Sequence, residues 1–306
     1  MKNSVIENSL SNYYQNHFIL RSSSGTSALI AVLKILSQES KKNEIVIPSN
    51  VCPALLFAIN FLGLNPVFVD METRYFNMCM KDLKRKITKK TLAVIGVHCF
   101  GLAADIKALV KISREKKIFF IEDACLNFGG KINGEYYGSF GDASIISFGY
   151  DKILSENGGA IVIKSKKLFI KIKKFMKLNP IFLNFEFNQK KFKQKFNRLE
   201  SLIEKRKNNA KKYNVYLSSK NIIKPKYRDH DVYWRYPILY KKNREKLVKL
   251  AESKGLIITK HYPAISKFQT KSKLLNADLF EKSILNFFVK PGTKENYISG
   301  VCNLIN

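Results

Sequence analysis

Apolar residues in the first half of the chain fall into short runs separated by stretches of helical spacing. Ala28, Leu29, Val32, Leu33 and Leu36 recur at three- and four-residue intervals, which predicts a helix, and the serines before them are natural N-caps. Glu44 to Ser49 reads as a strand, Pro53 to Leu62 as a helix and Pro66 to Asp70 as a second strand. Thr91 to His98 is a third strand, Lys107 to Lys116 an amphipathic helix, and Ile118 to Asp123 a fourth strand. Ala143 to Phe148 and Gly159 to Lys164 complete the series. Short apolar strands alternating with helices predict an α/β domain with a mostly parallel sheet.

From Lys166 the texture changes to a Lys-, Phe- and Asn-rich stretch with helical periodicity clearest from Phe196 to Tyr216. Beyond it, Val232 to Tyr240 reads as a strand, Arg244 to Lys254 as a helix and Leu256 to Thr259 as a strand. The expected division is a large α/β domain over 1–165, a helical connecting segment over 166–220 and a small C-terminal α+β domain over 221–306. The uncharged run Val51 to Val69 is long enough to suggest a membrane span. Pro53, Asn60, Gly63, Asn65 and Pro66 interrupt it, so a buried helix followed by a strand is expected and no span.

Charge changes this picture less than its size suggests. The net charge is +30, but only nine of the 54 basic residues are Arg. Readers of nucleic acid lean on Arg for bidentate base contacts, whereas abundant Lys with Asn and Ile suits a chain from an AT-rich genome. No nucleic-acid partner is expected, although a basic surface would help steer phosphate-bearing substrates. Five cysteines, Cys52, Cys79, Cys99, Cys125 and Cys302, show no metal-ligand spacing. Free thiols, a reducing compartment and no metal site are the expectation. Met1 to Asn12 is polar and lacks an apolar signal core, so a cytoplasmic location is expected.

The candidate chemistry lies at strand ends, where open parallel sheets bind their ligands. Ser147-Phe148-Gly149-Tyr150-Asp151-Lys152 places a lysine after an apolar strand and before Gly158-Gly159. Ile121-Glu122-Asp123-Ala124 places a carboxylate at the end of another. A lysine able to form a Schiff base and an acid for a pyridinium nitrogen are what pyridoxal phosphate (PLP) needs from a protein. Ser24-Gly25-Thr26 at a helix N-terminus is a candidate phosphate cradle, and Ser147 could add a hydroxyl. His98 is read either as a packed core histidine, the favoured role, or as a group near the substrate. His261-Tyr262-Pro263 is either a turn or a segment reaching the mouth of the site.

Taken in order, Ser24 to Leu29, Ile45 to Ser49, Pro66 to Asp70, Val97-His98, Gly101, Ile121 to Ala124, Gly138 to Asp142, Ser147-Phe148 with Lys152, Gly158-Gly159 and His261 to Pro263 resemble the DegT/StrS sugar aminotransferases. The resemblance covers nearly the whole chain and is most specific between Ser24 and Gly159. It implies a PLP-dependent transferase of fold type I, in which Lys152 binds the cofactor covalently and Asp123 pairs with its ring nitrogen. Ser24, Gly25, Thr26 and Ser147 would hold the phosphate. His98, His261 and Tyr262 are the candidates for contacts to substrate.

The implied substrates are a nucleotide-linked keto sugar and glutamate as amino donor, for surface-glycan or secondary-metabolite biosynthesis. The implied assembly is a homodimer. A branch of the family that carries histidine in place of the lysine performs dehydration; Lys152 favours transamination. The chain departs from the family pattern at three places. Leu126 stands where a glutamine is usual, Asn50-Val51-Cys52-Pro53 lacks the usual aromatic, and no Asn-aromatic-Arg-Met motif is recognisable between Lys166 and Arg198, where Asn184 and Asn188 are its only possible remnants. The alternative reading is a degenerate member that binds PLP or a sugar nucleotide as a regulatory protein.

Overall fold

The computed structural model describes residues 5–270 and 273–306. Seven strands form the main sheet: β1 (Phe18–Ser22), β2 (Glu44–Pro48), β3 (Asn65–Val69), β4 (Thr91–Val97), β5 (Phe119–Asp123), β6 (Ala143–Ser147) and β7 (Gly159–Ile163). Their order across the sheet is β1-β7-β6-β5-β4-β2-β3. The expected mostly parallel α/β architecture is present, with β7 antiparallel to both its neighbours. Only residues 148–158 join β6 to β7, and they hold no helix. A parallel return needs a crossover of a dozen or more residues, usually helical, so this short link sends the chain straight back.

The central strands send alternate side chains to opposite buried faces of the sheet. Ile45, Ile47, Ile95, Ile121 and Ile145 join one apolar cluster, while Val46, Val94 and Phe120 join the other. The helices Gly25–Gln38, Pro53–Phe61 and Lys166–Leu178 cover the first face. Met80–Lys86 and Ile106–Lys116 cover the second. With both faces covered, β4 is buried at every position, which explains its uninterrupted apolar sequence.

A second, three-stranded antiparallel sheet is built from Ile222–Ile223, Arg235–Tyr240 and Ile284–Phe288. Tyr213, Tyr236, Ile238, Phe287 and Val301 belong to the same apolar cluster as the first face of the large sheet, so the packing between them is continuous.

Several elements differ from the sequence expectation. β1 and the helix Val5–Tyr13 were not foreseen, because a five-residue edge strand ending in a serine run looks like loop. The first four residues of the polar N-terminal segment lie outside the described residues. The periodic stretch through Phe196 is two helices, Gln189–Asn197 and Leu199–Tyr216, that meet at Arg198. Leu256 to Thr259 makes only the bridge Thr259 to Asn286, and the true partner strand is Ile284–Phe288. The uncharged run Val51 to Val69 is helix then strand, and among the described residues no helix is long and apolar enough to cross a membrane.

Candidate active site

Register decides which strand-end groups meet. In the parallel pair β4–β5, Val97 lies opposite Asp123 and Gly96 opposite Glu122. Side chains alternate across a strand, so Val97 and Asp123 share one face. Both line the same cleft at the carboxyl edge of the sheet. Glu122 and His98 face the other way and are fully buried.

That buried pair is a closed network. The backbone N–H of Ala104 donates to His98 Nδ1 (3.0 Å), so Nδ1 is unprotonated and Nε2 carries the hydrogen that meets Glu122 Oε1 (3.1 Å). Glu122 also accepts from the backbone N–H groups of Gly138 (2.7 Å) and Phe140 (2.8 Å). Burial pushes the Glu122 carboxyl up. The bonds from His98, Gly138 and Phe140 outweigh it and hold the group below the ordinary carboxylate value. His98 is fully buried and does not line the cleft, a placement that fits its favoured core reading. Both ring nitrogens are spent on the core.

The second wall of the cleft is the start of the helix Gly25–Gln38. Ser24 caps it, its hydroxyl oxygen accepting the Ser27 N–H at 3.0 Å. Among the described residues the N–H groups of Gly25 and Thr26 meet no acceptor, as befits a first helical turn. Two glycines let this turn sit close to the sheet. A Cβ on Gly25 would lie 3.0 Å from the Ser147 Cβ and 3.2 Å from the Cys125 sulfur, and a Cβ on Gly159 would lie 2.6 Å from the Ile146 carbonyl oxygen. The turn and Ser147 therefore face a common space.

Lys152 enters from the link between β6 and β7. Ser24, Gly25, Thr26, Asp123, Ser147, Lys152 and Tyr262 all line one cleft. With its open mouth it encloses about 790 Å³ of free space. Tyr262 arrives from far along the chain, and burial holds its phenol well above the ordinary value. His261 is exposed and outside the lining; its ring lies 5.7 Å from that of Trp234. Partial desolvation of the ring and the Arg235 charge hold its imidazole below the ordinary value.

Sequence reasoning missed part of the lining. Cys52, Cys99 and Cys125 follow the neighbouring strands β2, β4 and β5, and all three thiols line the cleft. Burial pushes the Cys99 and Cys125 thiols up, which disfavours the reactive thiolate. Their place just after strands was the signal available. Val51 and Leu126 add apolar wall. No cluster suited to a metal ion occurs among the described residues.

Comparison with known proteins adds the following. The model of the DegT/DnrJ/EryC1/StrS aminotransferase family matches residues 2–180. A curated relative, the GDP-perosamine synthase of Escherichia coli O157:H7, is 36% identical over 158 residues, covering 51% of this chain and 43% of that protein. The GDP-4-keto-6-deoxy-D-mannose 3-dehydratase of Yersinia pseudotuberculosis is 30% identical over 169 residues, covering 53% of this chain and 43% of its own. The matches thus span less than half the length of these curated relatives. Among solved structures, PseC of Helicobacter pylori, described as an aminotransferase involved in the biosynthesis of pseudoaminic acid, superposes with a TM-score of 0.88 at 20% identity. It covers 100% of this chain and 90% of its own, and the fold is shared.

Proposed function

The chain belongs to the DegT/DnrJ/EryC1/StrS aminotransferase family, and on that premise we propose that it is a PLP-dependent aminotransferase acting on a nucleotide-linked keto sugar, with glutamate as amino donor. The observation that carries this reading is the shared cleft, in which Lys152, Asp123 and an open helix N-terminus converge. The residues fit such a cofactor. Two N–H groups at Gly25 and Thr26 are free to take an anion, and the turn that carries them packs close to Ser147 because Gly25 and Gly159 have no Cβ.

When bound, PLP supplies an electron sink for negative charge on the carbon beside the transferred nitrogen. The Gly25 and Thr26 N–H groups, with the Ser147 hydroxyl, would hold the phosphate. The Asp123 carboxylate would keep the ring nitrogen protonated. Lys152 Nζ, as a free amine, would accept the proton lost from the donor carbon that gives up the amino group and, in the second half of the transfer, would supply a proton to the sugar carbon that gains it. Val51, Cys52 and Leu126 keep water from the ring. On this reading the chain works in the cytoplasm as a homodimer, with 1–165 as cofactor domain, 166–220 as connector and 221–306 as small domain. Five free cysteines support the reducing compartment. The stacked, exposed Phe57 and Phe61 support a second copy beside the cleft.

The test is the absorption spectrum of the protein with PLP, before and after glutamate, beside Lys152→Ala. A band that requires Lys152 and bleaches with glutamate is expected; no band would end the reading. Leu126, an apolar side chain in the cleft wall, favours one alternative, a member that binds cofactor or sugar nucleotide without turnover. A Lys152-dependent band that glutamate and other amino donors leave unchanged would select it.

A further inference from the structure

Residues 148–158 carry Lys152 with no helix or strand of their own. Asp151 (φ 61°) and Ser155 (φ 42°) lie in the left-handed region that residues with side chains rarely adopt. Such a backbone persists where its surroundings over-determine it. Within the loop, the Lys152 N–H donates to the Gly149 carbonyl (3.2 Å) and the Ser155 hydroxyl to the Lys152 carbonyl (2.6 Å). These bonds leave Asp151 to be held from elsewhere.

The restraint comes from the second sheet. Trp234, the single tryptophan of the chain, donates its indole N–H to the Asp151 carbonyl at 2.8 Å. Arg235, the first residue of the strand Arg235–Tyr240, forms an ion pair with the Asp151 carboxylate. Trp234 is itself pinned. Its backbone N–H donates to the Phe100 carbonyl (2.8 Å), and its backbone carbonyl accepts from Arg206 Nη1 (3.1 Å). Its ring lies nearly parallel to that of Tyr262, at 11° with centroids 5.9 Å apart, and Tyr262 is a wall of the cleft. Lys152 Nζ stands 5.8 Å from the centroid of the same indole. One side chain thus bonds the residue before the lysine and lies beside both the lysine amine and the Tyr262 ring.

We propose that Trp234 and Arg235 form a latch by which the small sheet holds the Lys152 loop, making Trp234 a positioning residue for the Lys152 amine. The inference rests on the site reading above, and its test separates the two. Trp234→Phe keeps the ring and removes the N–H. Asp151→Asn removes the charge that Arg235 meets and tolerates the left-handed backbone. Hydrogen exchange read by mass spectrometry, without added cofactor, reports on the loop. The appearance of the Lys152-dependent PLP band reports on the amine, and 4-deoxypyridoxine phosphate, which lacks the aldehyde, reports on the cleft.

Both variants are expected to exchange about five- to tenfold faster over 149–155, the effect of one lost bond, with 119–123 and 143–147 unchanged. The band should form more slowly by a similar factor while the analogue binds as before. Unchanged exchange over 149–155 would overturn the latch. Faster exchange with a band forming at the parent rate would overturn the positioning role, as would loss of analogue binding alongside the band. If the parent protein itself gives no band, the aminotransferase reading falls, and exchange over 149–155 alone decides the latch.

Discussion

The two faces of β5 offer a comparison within a single dipeptide. Asp123 turns toward a cleft shared with Lys152, and Glu122 turns into a sealed core where His98 meets it. Both are carboxylates near a basic group, and both look like chemistry in the sequence. They differ in what satisfies them. Glu122 has its hydrogen bonds complete within the protein, so nothing about it awaits a ligand. Asp123 is 8% exposed; its Oδ1 accepts the Cys125 N–H (3.0 Å), and the carboxylate lines the cleft with acceptor capacity beyond that bond. A buried carboxylate whose bonds are complete stabilises structure; one left partly open at a cleft is equipped to bind.

That contrast can be broken by substitution. Lys152→Ala, on the cleft side, should lower amino transfer by about 10²–10⁴-fold, the range for a lost proton-transfer group. Its unfolding temperature should match the parent; scanning calorimetry beside single-turnover kinetics checks both. Glu122→Gln, on the core side, should do the reverse. It leaves the donors around it imperfectly met and should cost about 1–3 kcal/mol of stability in urea titration. The folded fraction should still bind PLP. Comparable activity loss in both variants without a stability difference would erase the distinction.

Asp123→Asn should reduce the glutamate half-reaction by about 10²–10³-fold, as for other single electrostatic contacts to developing charge, with stability little altered. The smallest effect is in pH. The Glu122 carboxyl is held below its ordinary value of 4.5 in the folded chain, so the unfolded chain binds the proton more tightly. Its stabilisation is therefore complete above about pH 4.5 and is lost as pH falls toward the depressed value. Urea midpoints measured from pH 6 down to pH 3 should fall for the parent and fall less steeply for Glu122→Gln.

Legibility followed the range of the interactions. The cleft residues Ser24, Gly25, Thr26, Asp123 and Ser147 stand at element boundaries, with Lys152 in the short link that follows Ser147, and boundaries announce themselves locally through capping serines, glycine pairs and ends of apolar runs. Tyr262 was legible only as a candidate, because nothing nearby marks it as a wall. Trp234 was not singled out at all; its bond to Asp151 spans 83 positions. Local pattern carries no information about contacts of that separation. Ile284–Phe288 escaped for a related reason: Asn286 interrupts its apolar run and is fully buried, bonded to Thr259 and His261.

The amino-acid order by itself determined the α/β alternation, the helix start at Ser24 and the presence of a lysine and a carboxylate at strand ends. These follow from backbone sterics, capping and apolar spacing within a dozen residues. Only the tertiary structure decided which of Glu122 and Asp123, or of Val97 and His98, faces the cleft. A strand's period of two is local, but its phase is set by which layer of helices covers which face and by the register of its neighbours. The hold of Trp234 and Arg235 on the lysine loop is likewise tertiary, since it exists only once the second sheet has docked against the first.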